Sequence, residues 1–144
     1  MKFVNVYSYD EIYDLLIEFE ECFPHLREKI VDFESFSKKL SEFAKVIICR
    51  LGNKNIALSI FYCNDKISRI GYISLIGVKK EFRGLGIGKQ LFDQTKNIMK
   101  ECGMCRIKLE VDKDNLNAKR FYFYLGFKSF EKSYKDSEYL VLEI

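Results

Sequence analysis

The residues best suited to chemistry form one short run, Arg83-Gly84-Leu85-Gly86-Ile87-Gly88-Lys89. Glycines at alternate positions remove the Cβ atoms that would hold a ligand away from the backbone. Ahead of the run, Ile70 to Val78 is an apolar stretch that reads as a buried strand. Behind it, from Ile87 onward, Leu91, Phe92, Ile98, Met99 and Cys102 recur at helical spacing, with Lys89, Asp93, Lys96, Asn97 and Lys100 on the other side. A strand, a glycine-rich loop and a helix N-terminus together make an anion site. The N–H groups of the first turn lack intrahelical partners, and the positive end of the helix dipole stands behind them. Lys79, Lys80, Arg83 and Lys89 add positive charge. The implied chemistry is the binding of a phosphate or pyrophosphate.

Two familiar phosphate loops do not fit. A P-loop needs glycine where Arg83 stands and Ser or Thr where Gln90 stands. A dinucleotide fingerprint accepts Gly84 and Gly86 but meets Lys89 at its third glycine. Other reactive groups are sparse. Cys102-Gly103-Met104-Cys105 has metal-ligand spacing, but the chain holds no second such pair, and His25 is its one histidine, so a closed zinc site is not expected. Asp10, Asp14, Glu18 and Glu21 share a helix face and read as solvated.

These groups need a frame. The 144 residues suit one domain, residues 1–144, with 48% hydrophobic and 31% charged side chains. A net charge of +3 is too small to imply nucleic acid. No apolar run approaches the ~18 residues of a membrane span. Residues 1–20 carry no signal-peptide pattern, and five cysteines in such a chain suggest reduced thiols and a cytoplasmic location.

Along the chain, Lys2 to Val6 reads as a strand, followed by a helix capped by Ser8 or Asp10, with Ile12, Leu15, Leu16 and Phe19 inward. Pro24 breaks that helix, and a second runs from Phe33 to Phe43 with Phe36, Leu40 and Phe43 on one side. Val46–Leu51 and Ile56–Tyr62 form a hairpin leading to the central strand. After the glycine loop and its helix, Gly103 is the C-cap, and Cys105 to Val111 alternates as a half-buried strand. The last helix starts at Asp114 or Asn115, carries Ala118, Phe121, Tyr122 and Leu125 on one face, and stops at Gly126. Phe127–Lys132 and Glu138–Ile144 close the chain as two strands joined by a turn. The sum is a mixed, mostly antiparallel α/β sheet of about seven strands flanked by about four helices.

Two motifs carry a resemblance. Arg83-x-x-Gly86-x-Gly88 is similar to the acyl-CoA pyrophosphate loop [RQ]-x-x-G-x-[GA] of the GNAT superfamily, the CoA-dependent N-acyltransferases. Asn115-x-x-Ala118-x-x-Phe121-Tyr122-x-x-Leu125-Gly126-Phe127 resembles the second motif of that family, and it stands at the expected distance. The resemblance implies a central strand that splays from its neighbour, opening a V for pantetheine along Ile76, Gly77 and Val78. Glycine at 77 would mark the bulge at the splay point. Pyrophosphate would sit on the amides of Gly84, Leu85, Gly86, Ile87, Gly88 and Lys89, and Asn115 would bond the pantetheine arm. Tyr122 matches the tyrosine near the CoA sulfur, with Tyr124 as a fallback donor.

The resemblance also implies acetyl transfer from acetyl-CoA to a primary amine, with no metal. An ammonium must lose a proton before it attacks. Glu110 is the candidate base: it lies off the core face of its strand and twelve residues before Tyr122, the separation found in the ribosomal-protein N-terminal acetyltransferases of the superfamily. The Val78 N–H would stabilise the tetrahedral oxyanion. A small-molecule amine is the leading acceptor. A protein N-terminus or lysine is the alternative, and a non-catalytic acyl-CoA-binding module a third. Neither nucleic acid nor membrane is expected as a partner, and a monomer or homodimer is expected.

Overall fold

The computed structural model describes residues 1–132 and 136–144, in the order β1 (Lys2–Val6), α1 (Tyr9–Glu18), α2 (Leu26–Lys29), α3 (Phe33–Phe43), β2 (Lys45–Leu51), β3 (Lys54–Tyr62), β4 (Ile70–Val78), α4 (Ile87–Glu101), β5 (Arg106–Asp112), α5 (Leu116–Tyr124), β6 (Lys128–Lys132) and β7 (Ser137–Glu143). Short 3-10 turns lie at Glu20–Cys22 and Lys80–Phe82. The strands form one sheet in the order β1-β2-β3-β4-β5-β7-β6. Every pairing is antiparallel except β4–β5, the pair that α4 connects by a crossover. The mixed, mostly antiparallel sheet expected from the pattern is therefore present. The turn expected between the last two strands includes residues 133–135, which lie outside the described residues.

Apolar alternation buries both faces. On one face, Leu91, Phe92 and Met99 of α4 meet Ile107, Leu109 and Val111 of β5, Ile73 of β4 and Phe127. On the other, Ile12, Leu15 and Leu16 of α1 and Leu40 of α3 meet Val46, Ile48, Leu58 and Ile60. Caps fit the sequence: Ser8 accepts the Glu11 N–H, Asp32 accepts those of Glu34 and Ser35, and Asn115 accepts that of Ala118.

Three expectations change. The described residues form five helices, because a four-residue helix, α2, follows His25, which adopts φ 68° as its N-cap. The inner stripe of α3 is Phe33, Ser37 and Leu40, with Phe36 partly buried against the same core as expected, whereas Phe43 is 55% exposed. The bulge falls not at Gly77 but at Ser74: Ile60 pairs with Leu75 and Phe61 with Ile73, leaving Ser74 as the extra residue. That insertion resets the alternation, so Ile76 and Val78 join the α4-side core while Leu75 joins the other. Gly77 serves close approach instead. A Cβ there would stand 3.0 Å from the Phe23 ring and 3.3 Å from Cys22 Cβ.

The parallel pairing is short. β4 and β5 share four rungs, from Ile70↔Arg106 to Ile73↔Leu109. Beyond them β4 stays with β3 as far as Val78, and β5 stays with β7 as far as Asp112. The middle of the sheet forks.

Candidate active site

The glycine loop lies at the end of the β4 arm of this fork. Gly86 is the N-cap of α4 at φ 79° and brings no side-chain cap. The first bond of the helix runs from Gln90 N–H to Gly86 O at 3.2 Å, so the N–H groups of Ile87, Gly88 and Lys89 precede the helical ladder. Gly84 also has φ 79°, and a Cβ on either glycine would meet nothing within 4 Å. These two glycines answer a need of conformation rather than space. Gly88 differs: its Cβ would lie 3.4 Å from the Phe121 ring, where α5 leans on the start of α4.

Three of the four cations around the loop have partners among the described residues, and Lys80 is the exception. Arg83 Nε donates to the Val78 carbonyl at 2.9 Å. Lys89 pairs with Asp93 at 2.8 Å, and Lys79 pairs with Glu18. Glu18 in turn accepts from Asn55, which accepts from Arg50, tying α1 to the β2–β3 hairpin. A cavity of about 420 Å³ lies at this network, beside the loop rather than in the fork. With two of these charges paired to carboxylates, an anion at Gly84–Lys89 would meet the backbone amides and the dipole, with Arg83 and Lys80 adding positive charge.

The fork exposes backbone as well. Lys79 N–H donates to Ile56 O, and antiparallel ladders alternate, so Gly77 shares its bonds with Leu58. The N–H and C=O groups of Ile76 and Val78 then turn away from β3, into the gap that β5 has left. Tyr122 reaches this region from the α4–α5 side, where its ring packs at 5.6 Å centroid distance from both Phe121 and Phe127. Burial pushes its phenol up to about 12, and its hydroxyl has no hydrogen-bond partner among the described residues. Tyr124 is 76% exposed. Asn115 spends its Oδ1 on the helix cap at 3.2 Å, which leaves its amide NH₂ as the donor.

Glu110 stands on the opposite face. It is the first β5 residue beyond the last rung with β4, and alternation points it away from Leu109 and Val111. Ser137 Oγ donates to its Oε2 at 2.7 Å, and Tyr139 lies directly across on β7. Tyr72 of β4 faces it too: burial first, then the charge of Glu110, pushes that phenol up to about 12. Across the mouth of the fork, Lys29 at the end of α2 reaches Asp112 at 3.4 Å. Ser137, Tyr72 and Tyr139 are absent from the candidates drawn from sequence. Only the β5–β7 register brings two of them to Glu110, and no local motif announces it.

The Cys102–Cys105 pair does not act as a pair. Cys102 Sγ lies 3.0 Å from Cys63 Sγ, joining the end of α4 to the end of β3. Among the described residues no group of three or more His, Cys, Asp or Glu side chains could hold a metal, and no helix is long and apolar enough to cross a membrane.

A forked mixed sheet with a glycine-led helix at the fork is the architecture of a coenzyme A-dependent acyltransferase. The chain belongs to the acetyltransferase (GNAT) family, whose profile matches residues 9–127. It is 38% identical over 65 residues to N-alpha-acetyltransferase 30 of Schizosaccharomyces pombe, covering 45% of this chain and 43% of that protein. It is 41% identical over 78 residues to an uncharacterised N-acetyltransferase of Methanocaldococcus jannaschii, covering 51% and 50%. The chain thus spans about half the length of these relatives. A crystal structure from Bacillus anthracis, assigned as a streptothricin acetyltransferase and holding acetyl coenzyme A, superposes with TM-score 0.64 at 30% identity, covering 71% of this chain and 63% of that one.

Proposed function

We propose that this chain transfers the acetyl group of acetyl-CoA to a primary amine by direct attack within a ternary complex, and that the acceptor is a small molecule. The fork carries the proposal: it turns the Ile76 N–H and C=O and the Val78 N–H away from β3 beside the amide cradle at Gly84–Lys89, while the Val78 carbonyl is held by Arg83. Pyrophosphate on the cradle would leave the pantetheine arm along β4, within reach of the Asn115 amide, and the thioester between Tyr122 and Glu110.

In this reading the ammonium first gives a proton to Glu110. The amine nitrogen then attacks the thioester carbon, and the Val78 N–H takes the oxyanion. Collapse breaks the carbon–sulfur bond and expels the thiolate, while the nitrogen gives its second proton to solvent to leave a neutral amide. Tyr122 donates a hydrogen bond to the sulfur as charge develops. It does not hand over its proton: a phenol at about 12 facing a thiol near ~8.5 makes that transfer uphill by about 5 kcal/mol. The thiolate is reprotonated from solvent. We take the protein to work in the cytoplasm as a monomer or homodimer.

A second reading has one specific support, the likeness over 65 residues to N-alpha-acetyltransferase 30. In it the amine is a polypeptide N-terminus laid on the sheet face beside Glu110. One experiment tests both. Acetyl-CoA is incubated with a panel of amino sugars, amino acids, polyamines and N-terminal peptides while free thiol is followed. Thiol release with a small amine supports the first reading, and release with peptides alone replaces it by the second. Calorimetric binding of coenzyme A without any turnover leaves a binding module, and no binding heat defeats the whole proposal.

A further inference from the structure

We infer that Ser137 is a positioning residue for Glu110, fixing the carboxylate at the fork so that it meets the incoming amine. The inference rests on Glu110 acting as the base. Glu110 pairs across the β5–β7 ladder with Tyr139, and Asp112 with Ser137, so Ser137 is the diagonal neighbour of Glu110 on one face. Its hydroxyl donates at 2.7 Å, a length typical of O–H···O⁻ bonds to a charged acceptor. The two residues differ in setting. Ser137 is 7% exposed and held in a strand, whereas Glu110 is an exposed residue whose long side chain stands on the face shared with Tyr72 and Tyr139. A glutamate in that setting loses rotamer freedom only if something holds its carboxylate. The rigid donor is on β7, and the arm it restrains is the one that borders the fork.

Two charged neighbours have partners of their own. Lys108 turns toward Tyr139, 4.1 Å from the ring centroid, and toward Glu131 at 3.7 Å. Asp112 is engaged by Lys29. A serine required only for packing would be served as well by any small residue. A serine that positions a base needs its hydroxyl, and threonine should replace it.

Steady-state kinetics of the full chain test this, with acetyl-CoA and the amine of the panel that turns over fastest. Ser137→Ala is expected to lower kcat about tenfold, the effect of one lost bond to a charged group. The KM for acetyl-CoA should stay within about twofold, because Ser137 supplies no group to the Gly84–Lys89 cradle. Ser137→Thr should recover most of the loss. In a Glu110→Gln background, Ser137→Ala should cost nothing further. Equal cost in both backgrounds, or no recovery with threonine, overturns the inference and leaves Ser137 a packing residue. Glu110→Gln with full activity is a different failure: it removes Glu110 as the base, and the positioning role with it. An inactive Glu110→Gln beside a fully active Ser137→Ala removes Ser137 alone.

Discussion

Tyr122 shows how a single residue can be read too simply from its pattern. On sequence it lies on the apolar face of α5, and packing does surround its ring, between Phe121 and Phe127. What separates it from an ordinary core tyrosine is the hydroxyl, which has no partner among the described residues in surroundings that oppose its ionisation. A substrate sulfur would supply the acceptor that this hydroxyl lacks among the described residues. Tyr122→Phe should therefore leave thermal stability unchanged or slightly raised. It should lower kcat about 10- to 100-fold, the worth of a hydrogen bond to a developing thiolate, with the KM for acetyl-CoA little altered. Melting curves and steady-state kinetics on one preparation decide it. A variant with normal kcat, or one that melts several degrees lower, would make Tyr122 a packing residue.

The elements carry a different lesson, since α4 is both cradle and core helix. Its N-terminal glycines adopt positive φ, so Gly84→Ala places a Cβ in open space but in a conformation costing about 1–2 kcal/mol. Calorimetry should show coenzyme A binding weakened about tenfold, and the exposed Leu85→Ala is the control that should not weaken it. In its middle, Thr95 is fully buried and joins Ser59 of β3 at 2.8 Å while donating to the Leu91 carbonyl at 3.0 Å. Thr95→Val strands the Ser59 hydroxyl and should cost about 1–3 kcal/mol in denaturant melts, and adding Ser59→Ala should recover part of that. Additive losses would show that the pair does not couple. The long elements were legible because period and caps agree: Ser8, Asp32 and Asn115 all cap where the apolar stripes begin. The exceptions have physical causes. α2 is a single turn, too short to show a period. The bulge at Ser74 carries no glycine, so nothing local marks the reset that turns Gly77 toward Phe23. The partners of Glu110 arrive through pairing between β5 and β7, which are separated by α5 and β6. The cradle was readable because its chemistry is local, and the acceptor face was not because its chemistry is assembled by register.

In the whole molecule, the two sides of the fork share one electrical property: each holds phenols that resist ionisation. Burial pushes Tyr122 up to about 12 on the α4–α5 side, and burial with the Glu110 charge does the same to Tyr72 on the other. Cys63, buried against Cys102, is likewise pushed up to about 12. Each of these folded-state values lies above that of the unfolded chain, ~10 for tyrosine and ~8.5 for cysteine. The fold therefore favours the protonated, neutral forms. The stability they contribute is fully present below the unfolded values and is lost as pH climbs toward 12. The three groups should leave stability level between pH 6 and 8, with Cys63 starting a decline near pH 9 and the tyrosines steepening it above pH 10. Allowing for partial exposure, the two tyrosines together should contribute a slope of about 1–2 kcal/mol per pH unit between pH 10 and 12. Urea melts at pH 7.5, 9, 10 and 11 measure that slope, and Tyr72→Phe combined with Tyr122→Phe should flatten its upper part. Glu110→Gln should flatten it only slightly, since its charge is the lesser cause at Tyr72 and does not act on Tyr122. An alkaline decline of equal slope in the double phenylalanine variant would mean that the lysine ion pairs, not the phenols at the fork, set the alkaline limit.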